Sequence, residues 1–170
     1  LLIENGELTV RTRAFLGYTG QAATSDDAFP TGDLASIDAN GHLHLQGRRK
    51  NLLITSFGRN ISPEWVEAAL VAQPEIAQTV VAGDARNVLA AIIVPFPGVA
   101  REQIASAITR ANAHLPDYAR IGHWLEAAPF TLQNGLATGN GRPVRAVILD
   151  HYAAQIAALY PNEENTDVVL

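Results

Sequence analysis

Polar and apolar residues alternate with a period of two along Glu7-Leu8-Thr9-Val10-Arg11-Thr12, the pattern of a half-buried strand. Asn5-Gly6, a favoured tight-turn pair, stands before it, so residues 3–12 are read as a hairpin. A loop is expected at 19–30. The pattern then recurs: Leu34-Ala35-Ser36-Ile37-Asp38 runs out, Asn40-Gly41 turns, and His42-Leu43-His44-Leu45 returns. At 47–63 the chain changes character. Three consecutive cations, Arg48-Arg49-Lys50, lead into Leu52-Leu53-Ile54-Thr55, which is short, apolar and suited to a buried strand. Ser56-Phe57-Gly58 breaks that run. Ser62 suits a helix N-cap and Pro63 the first helical position.

Beyond this joint the period shifts to that of a helix. Trp65, Val66, Ala69 and Leu70 recur at helical spacing over 63–72. Ile76 to Gly83 reads as a strand, Asp84 to Asn87 as a polar turn, and Val88 to Val94 as an apolar strand long enough to be central. Pro95 and Pro97 end it. Ile104, Ala107, Ile108 and Ala111 predict a helix over 100–114, stopped by Pro116, and Ile121 to Leu125 a further strand. A glycine-rich loop spans Asn134 to Arg145, and the last helix is expected from Val144 to Ala158 or Tyr160. Alternating strands and helices imply helices layered against a small sheet.

Composition narrows the function classes. The 170 residues are 48% hydrophobic, enough for a sizeable core in one or two small domains. The formal charge of −5 argues against a nucleic-acid footprint, although the cations at 48–50 leave room for a local anion site. There is no cysteine, hence no disulfide, thiolate metal site or cysteine nucleophile, which suits the cytoplasm. No apolar run approaches the roughly 18–20 residues that span a bilayer. His42 and His44 share one face, but no third ligand is evident and no metal site is expected. The chain opens Leu1-Leu2-Ile3-Glu4 and contains no methionine, so it is expected to be a fragment of a longer protein.

Gly47-Arg48-Arg49-Lys50, an apolar strand, then Thr55-Ser56-Phe57-Gly58-Arg59-Asn60-Ile61-Ser62-Pro63-Glu64-Trp65-Val66-Glu67 resembles the hinge and following core motif of the AMP-forming acyl-adenylate synthetases. It is most similar to bacterial long-chain fatty acyl-CoA synthetases. Gly6-Glu7-Leu8 with Val10-Arg11, Gly17-Tyr18 and Thr31-Gly32-Asp33 resemble earlier segments of the same family. The resemblance implies an α+β fold: a small C-terminal domain with a compact mixed sheet flanked by helices, preceded by β-hairpins from the end of a larger N-terminal domain. The implied division is 1–48, 49–160 and a tail at 161–170.

The same resemblance implies roles. Asp33 would accept hydrogen bonds from the ribose hydroxyls of ATP, which a carboxylate can do from two neighbouring donors. Arg48 would contact the ribose or a phosphate with its planar fork. Lys50 occupies the hinge, and Gly58 would line the tunnel for the pantetheine of CoA. Arg142, after Thr138-Gly139-Asn140-Gly141, stands where the family usually has the lysine that enters the active site during adenylation. Arginine keeps the charge but not the compact ammonium geometry. Three readings stay open for it: its own stabilisation of developing charge, a slow or lost first half-reaction, or a plain loop arginine.

The implied activity is ATP-dependent ligation of a carboxylic acid, a fatty acid by resemblance, to CoA through an acyl-AMP. Magnesium would be bound with ATP, mostly by residues outside this chain, and self-association is compatible with the pattern. The alternatives are an adenylating enzyme with another acceptor (a carrier protein, or β-lactone formation) and a degenerate module that binds a nucleotide or partner without catalysis. The isolated chain is expected to be inactive.

Overall fold

The computed structural model describes residues 1–11 and 28–161. Thr12, the Gly17-Tyr18 pair, most of the loop read at 19–30 and the tail after 161 lie outside the described residues. The chain divides into two compact units, Leu1–Leu52 and Leu53–Leu170.

The first unit is a four-stranded antiparallel meander in sequence order: β1 (Leu2–Glu4), β2 (Glu7–Arg11), β3 (Ala28–Ile37) and β4 (Leu43–Arg48). Asn5 and Gly6 join β1 to β2 with φ of 51° and 79°, the paired positive values that a twisted two-residue hairpin requires. The β3–β4 connection is longer than a tight turn. Asp38 Oδ1 accepts from the backbone N–H groups of Asn40 and His42, each at 2.9 Å, and shapes it. Among the described residues of this unit, Leu8 and Ala35 are the buried apolar ones. A single 3-10 turn, Arg49–Asn51, closes it.

The second unit carries a three-stranded mixed sheet in the order β7-β8-β9. Before it come β5 (Leu53–Ile54), β6 (Asn60–Ile61) and α1 (Pro63–Val71). β7 (Ile76–Ala82) pairs antiparallel with β8 (Leu89–Pro95), and β8 pairs parallel with β9 (Ile121–Glu126). A parallel pair needs a crossover, which α2 (Arg101–Asn112) supplies. Six of the seven β8 residues are buried, as a strand covered on both faces requires. Leu89, Ala91 and Ile93 face a core with Val66, Leu70, Ile104 and Ile108 from α1 and α2. Ile92 and Val94 face a second core with Val80, Phe130, Leu136 and Ile148. The mixed sheet with helices and the central β8 agree with the fold class read from the sequence.

Three local expectations are corrected. Leu52–Thr55 is not a buried strand: only Leu53 and Ile54 are extended, and Ile54 is exposed. Its backbone is paired partly with a distant turn, with Ile54 N–H donating to Asp84 Oδ1 at 3.0 Å and Ala85 N–H to the Ile54 carbonyl at 2.7 Å. Ser62 holds the N-cap position of α1, but its oxygen accepts no capping bond, and its hydroxyl donates to Glu64 Oε2 at 3.0 Å. The last helix is two, α3 (Arg145–His151) and α4 (Ala153–Ala158), bent at Tyr152. Helical bonds continue through the bend, from Tyr152 N–H to Ile148 and from Ile156 N–H to Tyr152. Ile148, Tyr152 and Ile156 therefore keep one face on the core, and apolar periodicity alone does not reveal the break.

Candidate functional site

In the first unit, Asp33 and Arg48 are direct cross-strand neighbours on β3 and β4. Arg48 Nε lies 2.9 Å from Asp33 Oδ1, and Arg48 Nη1 donates to the Thr31 carbonyl at 2.9 Å. The stretch of β3 that carries Asp33 is fixed by neighbouring groups. The Thr31 hydroxyl donates to the Leu8 carbonyl at 2.9 Å and accepts from Asp33 N–H at 3.1 Å. Gly32 takes φ of 75°, which favours glycine, and its N–H donates to Glu7 Oε1 at 3.0 Å. Glu7 Oε2 in turn accepts from Arg49 Nη1 at 2.6 Å. The arginine fork thus engages only one Asp33 oxygen, and Oδ2 makes no hydrogen bond among the described residues. It is left to accept from a ligand hydroxyl.

The three cations at 48–50 are all exposed, as read from the sequence, but two are ion-paired: Arg48 with Asp33 and Arg49 with Glu7. Lys50 lies in the middle of the 3-10 turn. His42 and His44 converge on Asp38 Oδ2, at 3.2 and 3.0 Å, a carboxylate the sequence reading did not anticipate. The His44 bond, then the backbone bond from His42, hold the Asp38 carboxyl down at about 2. Among the described residues no group of three or more His, Cys, Asp or Glu could hold a metal ion.

In the second unit, Gly58 and Arg142 stand on loops of the same construction. Thr55 N–H donates to the Arg59 carbonyl at 3.0 Å, Gly58 N–H to the Thr55 carbonyl at 2.8 Å, and Arg59 N–H to the Thr55 hydroxyl at 3.1 Å. Thr138 N–H donates to the Arg142 carbonyl at 2.8 Å, Gly141 N–H to the Thr138 carbonyl at 2.8 Å, and Arg142 N–H to the Thr138 hydroxyl at 3.1 Å. The fourth-position glycines have φ of 72° and 79°. Both loops read Thr-x-x-Gly-Arg, and both put an exposed arginine at the fifth position. A Cβ on Gly58 would meet nothing within 4 Å, so the backbone angle, rather than space, calls for glycine there.

Each loop is tied to the sheet. Ser56 N–H donates to the Arg86 carbonyl at 2.9 Å, in the turn between β7 and β8. On the other loop's approach, the Gln78 amide on β7 exchanges two bonds with the Phe130 backbone, at 3.1 and 2.8 Å. On its exit, Arg145 Nη1 donates to the Val81 carbonyl at 2.8 Å and pairs closely with Glu67 on α1. Glu67 Oε1 also accepts from Val81 N–H at 2.7 Å. Burial pushes the Glu67 carboxyl above its ordinary value, against the pull of Arg145. An open groove of about 580 Å³ near Gln78, Phe96 and Phe130 contains none of the residues singled out by sequence.

The sequence reading missed Thr55 and Thr138 as the residues that build the two loops, and Glu67 with Arg145 as the brace. The repeated Thr-x-x-Gly-Arg pattern was visible at 55–59 and 138–142. The brace was not, since its partners lie 78 residues apart.

The profile of the AMP-binding enzyme C-terminal domain matches residues 50–164. Long-chain-fatty-acid–CoA ligase FadD15 of Mycobacterium tuberculosis is 30% identical over 193 aligned positions, which cover 95% of this chain and 32% of that protein. Fatty acyl-CoA synthetase A of Dictyostelium discoideum is 27% identical, over 91% of this chain and 29% of its own length. Among solved structures, the A domain of a carboxylic acid reductase from Segniliparus rugosus, in complex with AMP and a co-purified carboxylic acid, matches with a TM-score of 0.71 at 27% identity. That match covers 81% of this chain and 24% of the other. The chain spans about a third of the curated relatives it matches. With the hinge-to-helix motif, the mixed sheet and the profile match in agreement, the chain belongs to the AMP-binding enzyme C-terminal domain family.

Proposed function

We propose that the chain is the C-terminal part of an ATP-dependent, AMP-forming carboxylic acid ligase, a fatty acyl-CoA synthetase of the cytoplasm. In the first half-reaction a carboxylate oxygen attacks the ATP α-phosphate, giving acyl-AMP and pyrophosphate. In the second the CoA thiol attacks the acyl carbonyl, and AMP leaves as the thioester forms. Residues 1–48 are the end of the large N-terminal domain, 49–160 the mobile C-terminal domain and 161–170 a tail. Lys50 is the point of rotation between the two half-reactions.

The observation that carries this reading is the Asp33–Arg48 pair at 2.9 Å, with one Asp33 oxygen left to accept. Asp33 would bind the ribose hydroxyls, while Arg48, oriented by Asp33 and the Thr31 carbonyl, would present its remaining donors to ribose or phosphate. Arg142 would enter during adenylation and offset charge on the reacting phosphate. The Gly58 loop would follow and line the path of the pantetheine. Magnesium would come with ATP, held mostly by residues outside this chain. FadD15 bears a ligase name, and the reductase domain was solved with AMP and an acid, which supports a nucleotide and a carboxylate as ligands. The full-length parent should catalyse acid-dependent ATP–pyrophosphate exchange and form CoA thioesters. Absence of exchange with every carboxylic acid from acetate to palmitate would end the reading.

Arg142 in place of the usual lysine favours a second reading, a ligase slow in adenylation or a module that binds nucleotide without turnover. Arg142→Lys in the parent separates the two. A rise in exchange indicates an impaired ligase, and no activity in either form indicates a binding module. Competition between free CoA and a carrier protein identifies the acceptor.

A further inference from the structure

We propose that Arg59 binds a phosphate group during the thioester-forming half-reaction, as the counterpart of Arg142 in adenylation. The inference rests on the function proposed above. Its ground is the shared construction of the two loops. Three backbone and hydroxyl bonds agree in donor, acceptor and length to within 0.2 Å, at Thr55–Arg59 and at Thr138–Arg142. Two loops with the same bonds, the same left-handed glycine and the same last residue leave that residue's Cα and Cβ in the same local frame. Whatever geometry lets one loop offer a guanidinium to a phosphate, the other can reproduce when it takes the same place.

The state of the side chain suits this task. Arg59 is exposed, and its guanidinium donates no hydrogen bond among the described residues. It lies over the ring of Tyr118, with Cζ 5.6 Å from the ring centroid. That contact is electrostatic and uses no hydrogen-bond acceptor, so the N–H groups stay available to an oxyanion. By contrast, Arg49, Arg110, Arg120 and Arg145 are each committed to a carboxylate. The incoming arm of the loop is anchored to the turn between β7 and β8, through Ile54 to Asp84 and Ala85 and through Ser56 to Arg86, so the arginine stands on a held base. A fixed cation at an anion site loses less conformational freedom on binding than one on a loose strand.

Two phosphates are present in that half-reaction: the acyl-adenylate phosphate and the phosphates of CoA. Pantetheine, the same thiol without phosphates, tells them apart. The experiment uses the full-length parent and its Arg59→Ala and Arg142→Ala variants. It compares acid-dependent ATP–pyrophosphate exchange with single-turnover thioester formation from preformed acyl-adenylate. Arg59→Ala should lower the ratio of thioester formation to exchange by roughly tenfold or more, the scale of one charge-assisted bond. Arg142→Ala should shift the same ratio the other way. A loss seen with CoA but not pantetheine assigns Arg59 to a CoA phosphate; an equal loss with both assigns it to the adenylate. A ratio within about twofold of the parent with both thiols, or equal loss of both half-reactions, overturns the inference while leaving the ligase reading intact. A parent without exchange removes the ligase reading and this inference together.

Discussion

Glu67 and Arg145 meet over the backbone of Val81, so that one carboxylate and one guanidinium occupy both the N–H and the C=O of a single strand residue. The pair joins α1, which follows the Gly58 loop, to α3, which follows the Arg142 loop. Both side chains are largely buried, at 16% and 18% exposure.

Truncating one partner leaves the other charge without its counterpart, so Arg145→Ala should destabilise the second unit by about 3 kcal/mol at neutral pH. Glu67→Gln keeps an acceptor for Val81 N–H and should cost less, about 1 kcal/mol. Both tryptophans, Trp65 and Trp124, lie in this unit, so urea unfolding followed by their fluorescence reads its stability. The Glu67 carboxyl is raised above its ordinary 4.5 by burial. Its contribution is therefore complete below 4.5 and lost as pH rises through the folded value. The stability difference between the parent chain and Glu67→Gln should shrink over that rise.

Asp38 titrates in the opposite sense. The His44 bond comes first among the causes that hold its carboxyl at about 2, against an ordinary 3.8. Its contribution to the β3–β4 turn is present above 3.8 and lost as pH falls through about 2. Side-chain carboxyl NMR should follow that low titration, and His44→Ala should move it toward 3.8.

The glycines separate backbone strain from crowding. Ala at Gly58 meets open space and should cost about 1 kcal/mol, for the left-handed backbone alone. A Cβ on Gly83 would lie 2.5 Å from Leu89 Cδ2 and 3.2 Å from Leu89 Cα, so the buried Leu89 side chain must shift and its backbone give by a few tenths of an ångström. Gly83→Ala should add roughly 1–3 kcal/mol of overpacking to the backbone cost. Thermal unfolding of the two variants checks the order.

Arg48 reaches Asp33 with Nε and the Thr31 carbonyl with Nη1 at once. A lysine has a single ammonium and cannot span both in the fork geometry. Under the ligase reading, Arg48→Lys in the full-length parent should raise the KM for ATP in pyrophosphate exchange by roughly tenfold. An unchanged KM would remove Arg48 from the nucleotide site.

What the sequence made legible was local. Asn5-Gly6 ahead of an alternating run announced the first hairpin, the unbroken apolar run around Ile92 announced a central strand, and Ile104 to Ala111 announced α2 by their spacing. Asp33 and Arg48 were paired only through the family resemblance, and the structure shows them as register partners. What stayed hidden depends on residues far along the chain. β5 is held by Asp84 and Ala85, about thirty residues on, so its short extent and the exposure of Ile54 could not be read from its own apolar composition. The bend at Tyr152 leaves the apolar stripe intact. The two Thr-x-x-Gly-Arg loops could have been matched by eye, but their likeness only acquires meaning once the bonds inside them are seen.

The clasp over Val81 also bears on how the molecule behaves in company. β7 forms one margin of its sheet, and an open margin invites a second polypeptide to zip on through its main chain. At Val81 both main-chain groups are already engaged by charged side chains, so an incoming strand would find no free N–H there and would have to displace an ion pair. The contact that fixes two helices thereby also closes one rung of that margin to a neighbour.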